Sequence, residues 1–356
     1  MLKGNSPSFL VVALRYIGDV LVTTPLALSI KKAIPGARVE YLVFDGTQAV
    51  LAKNPYVDRV HVLRRGSRSL ELLHLFKKFD FSFGCNPGDR TAIAAALTGR
   101  RSLALSYHRR NEWWKHLVLD QCCPYDDNLH AVQLMLSLLD PLKIPKIPAV
   151  TMGFDSEDRN FAKTRLPEKR YVLLHPYSRG TYKYWPANHW GKLAGTILRQ
   201  TACVPVFTVT GDPQDRQLLD AILSCAPAGC RTFTDPFSLS QLAAAIEGSV
   251  AYIGIDTVVT HIAAAVGART FALFGPSYTR YWAPWPNGCT AASPFAANRG
   301  VQCLGGVTVI QKGWPCVPCN AEACLISERG RTECLEELHA EEVFGIICSC
   351  LNEGEL

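Results

Sequence analysis

Three short stretches carry side chains whose types and spacing could do chemistry. In Arg15-Tyr16-Ile17-Gly18-Asp19-Val20 a lone carboxylate stands where an apolar run hands over to a helical pattern. Ligands of open α/β sheets gather at the carboxyl ends of strands, so Asp19 is placed to face one. It has two readings, a cap on the helix that follows or a proton acceptor. Gly18 beside it would let a ligand approach the backbone closely. In the second stretch, His175 to Pro186, the hydroxyls of Ser178 and Thr181 can donate hydrogen bonds and Lys183 can neutralise charge. That set suits a diphosphate and the charge it carries away as a leaving group. In the third, Gly254-Ile255-Asp256-Thr257-Val258-Val259-Thr260-His261, a strand gives way to a helix. Asp256, Thr257 and Val258 there set free backbone N–H groups and a positive helix end toward an anion, with His261 one turn on. Plainer readings stand beside these: Lys183 as a surface lysine, His261 as a structural histidine, Trp185 as core packing.

A fourth group is made of sulfur. Cys316-x2-Cys319-x4-Cys324-x9-Cys334 lies in a Gly/Pro-rich stretch. Its spacing fits one tetrahedral zinc or iron ion in a structural role, or four reduced thiols with no ligand. Many nucleotide-sugar sites hold Mg²⁺ on an Asp-x-Asp, and none occurs in this chain. A diphosphate would then be met by Lys183, hydroxyls and helix ends, with no catalytic cofactor.

The elements that must position these groups follow from hydrophobic pattern. Phe9–Leu14 is a short β-rich apolar run, as expected of a strand buried on both faces. A helix is expected from about Val20 to Ala33, ended by Pro35-Gly36. Strands are predicted at Val39–Phe44, Val60–Leu63 and Phe81–Cys85, with helical segments near Gln48–Lys53 and Leu70–Lys78. The Pro-rich run Pro141–Pro148 reads as an extended connector. The alternation then restarts: strands at Tyr171–His175, Val204–Thr210, Ala251–Ile255 and Thr270–Phe274, with helices at Asn188–Arg199, Gln214–Leu223, Leu239–Glu247 and Thr257–Val266. Strands alternating with helices at this pitch give parallel, doubly wound sheets. The expected organisation is two Rossmann-like domains, residues 1–150 and 151–356, with a Cys-rich tail on the second.

Composition narrows the partners. With 356 residues the chain is long for one core, and 48% hydrophobic with 19% charged residues describes a packed globular protein. No apolar run reaches the roughly 18–20 residues of a membrane-spanning helix. Residues 1–8 are too short and polar for a secretory signal, so a cytoplasmic location is expected. Residues 1–150 hold 20 Lys and Arg against 12 Asp and Glu, a balance of +8, whereas residues 151–356 hold 17 against 19. A basic first half suits an anionic partner such as a phosphorylated lipid or a membrane surface, or a solvated surface with none. Nucleic acid is disfavoured, since no helix-turn-helix, zinc-finger or RNA-binding signature accompanies the charge. Fourteen cysteines in a large chain without an export signal are expected to be mostly reduced.

The three stretches together resemble glycosyltransferase family 9, the heptosyltransferases. Arg15–Pro25 (RYIGDVLVTTP) followed by Lys31-Lys32-Ala33-Ile34-Pro35-Gly36-Ala37 is similar to the family's opening. His175-Pro176 through Lys183-Tyr184-Trp185-Pro186 is similar to its H-P…K-x-W-P segment, and Asp256–Ala265 with Ala272–Pro276 to its D-T-x-x-x-H-I-A-A-A and A-L-F-G-P boxes. Where the family usually reads Asp-Thr-Gly or Asp-Ser-Ala, Val258 and Val259 follow Thr257 here. The resemblance spans residues 9–286. It implies a GT-B fold with two parallel sheets facing across a cleft, and transfer of L-glycero-D-manno-heptose from ADP-heptose to a lipopolysaccharide inner core. Asp19 is then the general base of an inverting, metal-independent displacement, and Lys183 the partner of the leaving diphosphate. Gly18, Ser178, Thr181, Asp256, Thr257, Val258 and His261 fall to the donor. Ser106–Lys115 is most similar to the branch-heptose enzymes, heptosyltransferase III, which gives Arg109, Arg110 and Lys115 to the phosphates of the core, at the inner face of the inner membrane. Other family 9 acceptors, or a non-catalytic sugar-nucleotide-binding module, remain as alternatives.

Overall fold

The computed structural model describes residues 6–66, 69–107, 109–324, 326–327 and 331–351. Its first strand explains the first sheet. Strand β1 (Ser8–Ala13) is buried along its whole length, as an unpunctuated apolar run must be when both faces are covered. It therefore lies inside, between β2 (Arg38–Phe44) and β4 (Phe79–Gly84). With β3 (Arg59–Leu63), β5 (Gly99–Ser106) and β6 (Gln121–Pro124) the sheet runs in the order β3-β2-β1-β4-β5-β6, every pair parallel. The chain winds outward one way from β1 and the other way from β4, so the order reverses between those two strands. Loops leaving their carboxyl ends splay apart there and open a crevice.

The helix expected over Val20–Ala33 is two helices. Helix α1 (Ile17–Leu21) starts earlier than predicted, and α2 (Thr24–Ala33) begins after a break. Pro25 has no N–H to give to the carbonyl of Leu21, and the adjacent hydroxyls take over. Thr23 Oγ1 donates to the Val20 carbonyl at 2.7 Å and Thr24 Oγ1 to the Leu21 carbonyl at 2.8 Å. The consequence for function is that Asp19 lies within the first helical turn and not in the loop ahead of it.

Two compact units divide the chain, residues 1–153 with 290–293, and residues 154–289 with 294–356. The Pro-rich run is only partly the expected extended connector: Pro141 and Leu142 close a 3₁₀ helix (Ser137–Leu142), Lys143 turns in the left-handed region, and the chain from 144 on carries no regular element and is laid along the first unit. Ile147 N–H donates to Ser29 Oγ, Thr151 N–H to Thr24 Oγ1, and Asn54 Nδ2 to the Thr151 carbonyl. Beyond it Gly153 passes so close to residue 53 that a Cβ would collide with the Lys53 carbonyl.

In the second unit β7 (Tyr171–His175), β8 (Val204–Phe207), β9 (Arg231–Thr232), β10 (Ala251–Ile255), β11 (Thr270–Phe274), β12 (Val301–Leu304) and β13 (Val307–Gln311) form one sheet. Its order is β12-β13-β11-β10-β7-β8-β9. All pairs are parallel except the edge hairpin β12–β13, which the sequence reading did not anticipate. Here the reversal falls between β7 and β10. Trp185 is core, as its plainer reading had it: it is fully buried and donates Nε1–H to the Leu338 carbonyl at 2.7 Å.

Candidate active site

At the carboxyl end of β1, Asp19 occupies the third position of α1 and accepts the Tyr16 N–H on Oδ2 at 3.3 Å. It thus closes the helix start from inside, and only 14% of its side chain is exposed. Burial raises its pKa above the ordinary 3.8, opposed by the Arg15 guanidinium and by backbone N–H groups. The nearest guanidinium nitrogen of Arg15 stands 4.0 Å from Oδ1. A carboxylate that is partly desolvated yet still reachable is a stronger base than one in water. A Cβ on Gly18 would meet no other atom within 4 Å, so open space borders the turn that carries Asp19.

Two arginines that sequence reasoning missed stand at the same edge. Arg65 follows β3 and donates to the Arg15 carbonyl at 3.3 Å. Arg90 lies in the first turn of helix α3 (Asp89–Thr98), which follows β4. Both guanidiniums stack on the Phe44 ring, at 4.8 and 5.1 Å from its centre. A signal was present for Arg65, a basic residue two positions beyond the predicted strand Val60–Leu63, whereas Arg90 lies five positions beyond Phe81–Cys85. Such stacking holds a planar cation in place.

The expected acceptor triplet divides. Arg109 and Arg110 are exposed, Arg109 lying 4.4 Å over the Tyr107 ring. Lys115 is a correction: it is fully buried. Its ammonium donates to Glu112 Oε1 at 2.7 Å and to the Pro87 carbonyl, with Asp89 3.5 Å away. Those donors are spent inside the unit, so Lys115 positions its segment and does not present charge to a ligand. His108, in the same stretch, lies outside the described residues.

In the second unit the loops after β7 and β10 flank the reversal and meet. Lys183 Nζ lies 2.6 Å from Asp256 Oδ2. Ser277 Oγ donates to the same oxygen at 2.6 Å, and Gln311 Nε2 holds the Gly275 and Ser277 carbonyls at 2.7 and 3.0 Å. Ser178 departs from expectation: its hydroxyl donates to the Asp256 carbonyl at 3.0 Å and ties the two loops together. Thr181 is exposed and opens the short turn that ends in Lys183. Thr257 is the N-cap of the helix Val258–Ala265, so the Val258 N–H is among the unpaired amides of a helix start. Gly254 allows this packing because a Cβ there would meet the Tyr252 hydroxyl at 2.2 Å, and that hydroxyl pairs with Thr260 Oγ1. His261 is buried, and burial lowers its pKa to about 4, with Asp256 pulling it up and Lys183 pushing it further down. It is neutral at physiological pH. The arrangement is an anion cradle: one ammonium held by a carboxylate, one helix start, and hydroxyls between.

The four cysteines singled out by spacing line one pocket, with Pro276, Trp314, Val317 and Thr332. Burial, reinforced by the neighbouring Cys319, Cys324 and Cys316 sulfurs, pushes the Cys334 thiol up to about 12. Among the described residues no three Cys, His, Asp or Glu side chains converge closely enough to hold a metal ion. The pocket is strapped to the cradle on two sides. Asn320 N–H donates to the Pro276 carbonyl at 2.7 Å, and Thr332 Oγ1 to the Tyr182 carbonyl at 2.6 Å.

Comparison with known proteins bears on the family and the fold. A family model described as Glycosyltransferase family 9 (heptosyltransferase) matches residues 91–303. Lipopolysaccharide heptosyltransferase 3 of Escherichia coli strain K12 is 26% identical over 294 residues, 76% of this chain and 83% of that one. Among solved structures, E. coli heptosyltransferase WaaC with ADP superposes with a TM-score of 0.71 at 18% identity, covering 97% of this chain and 100% of that one. The iron-containing dodecameric glycosyltransferase TibC of enterotoxigenic E. coli H10407 gives a TM-score of 0.54 at 12% identity, covering 98% of this chain and 79% of that one.

Proposed function

The chain belongs to glycosyltransferase family 9, and from that premise we propose that it moves L-glycero-D-manno-heptose from ADP-heptose to a hydroxyl of the lipopolysaccharide inner core. The observation that carries the proposal is Asp19, a carboxylate at the carboxyl end of β1 whose burial raises its pKa. As the acceptor hydroxyl attacks the anomeric carbon, Asp19 takes its proton. Attack from the face opposite the leaving ADP inverts the anomeric configuration. Charge then grows on the diphosphate, where Lys183 and the helix start at Val258 offset it without a catalytic metal.

Asp256 does not itself bind phosphate in this account, because two anions side by side repel. It keeps Lys183 extended until the donor arrives. His261, neutral, serves as a hydrogen-bonding wall. Arg15, Arg65 and Arg90 supply cations for a phosphorylated core acceptor presented at the cytoplasmic face of a membrane, and the exposed Arg109 and Arg110 face the phosphates of that membrane surface. No described helix is long and apolar enough to cross that membrane.

Cys316, Cys319, Cys324 and Cys334 are a soft donor set that suits zinc or iron, and an ion there would require their sulfurs to draw closer together than they stand in this structure. Bound there it would act as a structural cross-link that fixes the two straps on the cradle. The reading as a whole is tested by mixing ADP-heptose with heptose-deficient lipopolysaccharide and following ADP release and the anomeric configuration of the product by NMR. ADP release with an inverted linkage supports it. Donor binding without turnover would make the chain a binding module.

A further inference from the structure

Residues 109–119 of the first unit wear their polarity inside out. The stretch is helical, a 3₁₀ turn at Arg110–Glu112 leading into helix α4 (Lys115–Val118). Glu112, Lys115 and Leu119, spaced three and four apart, all face inward and are buried. The inward charges are fully partnered: Ser106 Oγ donates to Glu112 Oε2 at 2.7 Å, and Lys115 donates to Glu112 Oε1 and to the Pro87 carbonyl. The opposite face repeats the spacing as Arg110, Trp113 and Leu117. Trp113 is 65% exposed and Leu117 74%, with Val118 and Tyr107 also exposed.

A surface helix ordinarily turns its apolar side to the core. Here a buried ion pair anchors the segment and holds large apolar side chains out to solvent. Contiguous exposed apolar groups mark a contact surface. Its rim names the partner. Arg109 and Arg110 are exposed beside the aromatic and aliphatic groups, within a first half whose balance is +8. An indole and a leucine at the level of two guanidiniums match the boundary of a bilayer, where acyl chains meet headgroups, and the cations select an anionic one.

We infer that Arg109–Val118 docks the first unit onto an anionic phospholipid bilayer, Trp113 and Leu117 entering the acyl boundary and Arg109 and Arg110 meeting headgroup phosphates. The inference rests on the reading that the acceptor is carried on a lipid, and it gives that reading its surface of contact.

The test is co-sedimentation of the full chain with vesicles of phosphatidylethanolamine and phosphatidylglycerol, and with vesicles of phosphatidylcholine alone. The chain binds the anionic vesicles, salt weakens that binding, and the neutral vesicles leave it in solution. Trp113→Ser with Leu117→Ser lowers binding to anionic vesicles by at least about tenfold. The same variant still transfers heptose to delipidated core oligosaccharide at the normal rate, while its rate on vesicle-borne acceptor falls. Vesicle binding by the double variant equal to that of the unaltered chain overturns the inference. So does sedimentation velocity showing that the face is covered by a second copy, with dimers that the two substitutions disperse. If the unaltered chain binds anionic vesicles but transfers nothing to either acceptor, the docking surface stands and the activity assignment falls.

Discussion

Lys183 and Asp256 come from loops on opposite sides of the strand-order reversal in the second sheet and meet at 2.6 Å, Nζ to Oδ2. Ser277 shares the same carboxylate oxygen, and Ser178 holds the Asp256 backbone. The pair is close to neutral when the cradle is empty. An arriving diphosphate competes for the ammonium, and the carboxylate is left beside it.

That relationship predicts an asymmetry. Lys183→Ala removes a charge-assisted hydrogen bond, worth roughly 10- to 150-fold in ADP affinity, and also leaves the Asp256 carboxylate unpaired toward the phosphates. Adding Asp256→Asn to Lys183→Ala should recover part of the lost affinity. Calorimetry of ADP binding to both variants checks this. Equal affinities for the single and double variants would mean that Asp256 does not act through Lys183.

His261 sets the pH behaviour of the donor side. Burial depresses its pKa to about 4, so it gains a proton only as pH falls through that value. Affinity for ADP-heptose, whose esterified diphosphate does not titrate in this range, should therefore stay level between about pH 6 and about pH 8, the window in which an ordinary histidine titrates. A histidine protonating inside that window would add positive charge and tighten ADP-heptose binding on the acid side. A tenfold gain from the alkaline to the acid end would contradict the assignment.

In the proposed transfer Arg65 and Arg90 serve the acceptor. Substituting either with Ala should raise the acceptor KM several-fold to tenfold or more, as loss of a charged contact does, while ADP affinity holds. Steady-state kinetics with acceptor varied at saturating donor separates the two effects.

The cysteine pocket makes a compositional prediction. Elemental analysis of the purified protein should find about one zinc or iron per chain, and Cys319→Ser with Cys334→Ser should remove it. Chelation should weaken ADP binding, because the straps from Asn320 to Pro276 and from Thr332 to Tyr182 lose their anchor. A fully active protein with no metal would reduce the cluster to four thiols.

Much of this was legible in the amino-acid order because the pattern and the packing agree. The run Phe9–Ala13 is apolar throughout and is central in its sheet, and the predicted bounds Leu239–Glu247, Ala251–Ile255 and Thr270–Phe274 coincide with the observed elements. The helix break at Val22–Thr23 was hidden because apolar periodicity runs across it; Pro25 was the signal. Lys115 was misassigned because a lysine between aromatics reads as surface, and only Glu112, fixed three residues away by helical geometry, reveals the buried pair. Arg65 and Arg90 join across Phe44 from three different strand ends, a contact that the basic residue after one predicted strand does not by itself reveal.

In the proposed transfer Asp19 receives the acceptor proton. The most direct test of this role is the single-turnover rate of heptose transfer by Asp19→Asn, measured with calorimetry of ADP-heptose binding to the same preparation. The prediction is a rate lower by about 10²- to 10⁴-fold, the usual contribution of a general base, with donor affinity unchanged. Transfer at the unaltered rate would contradict it.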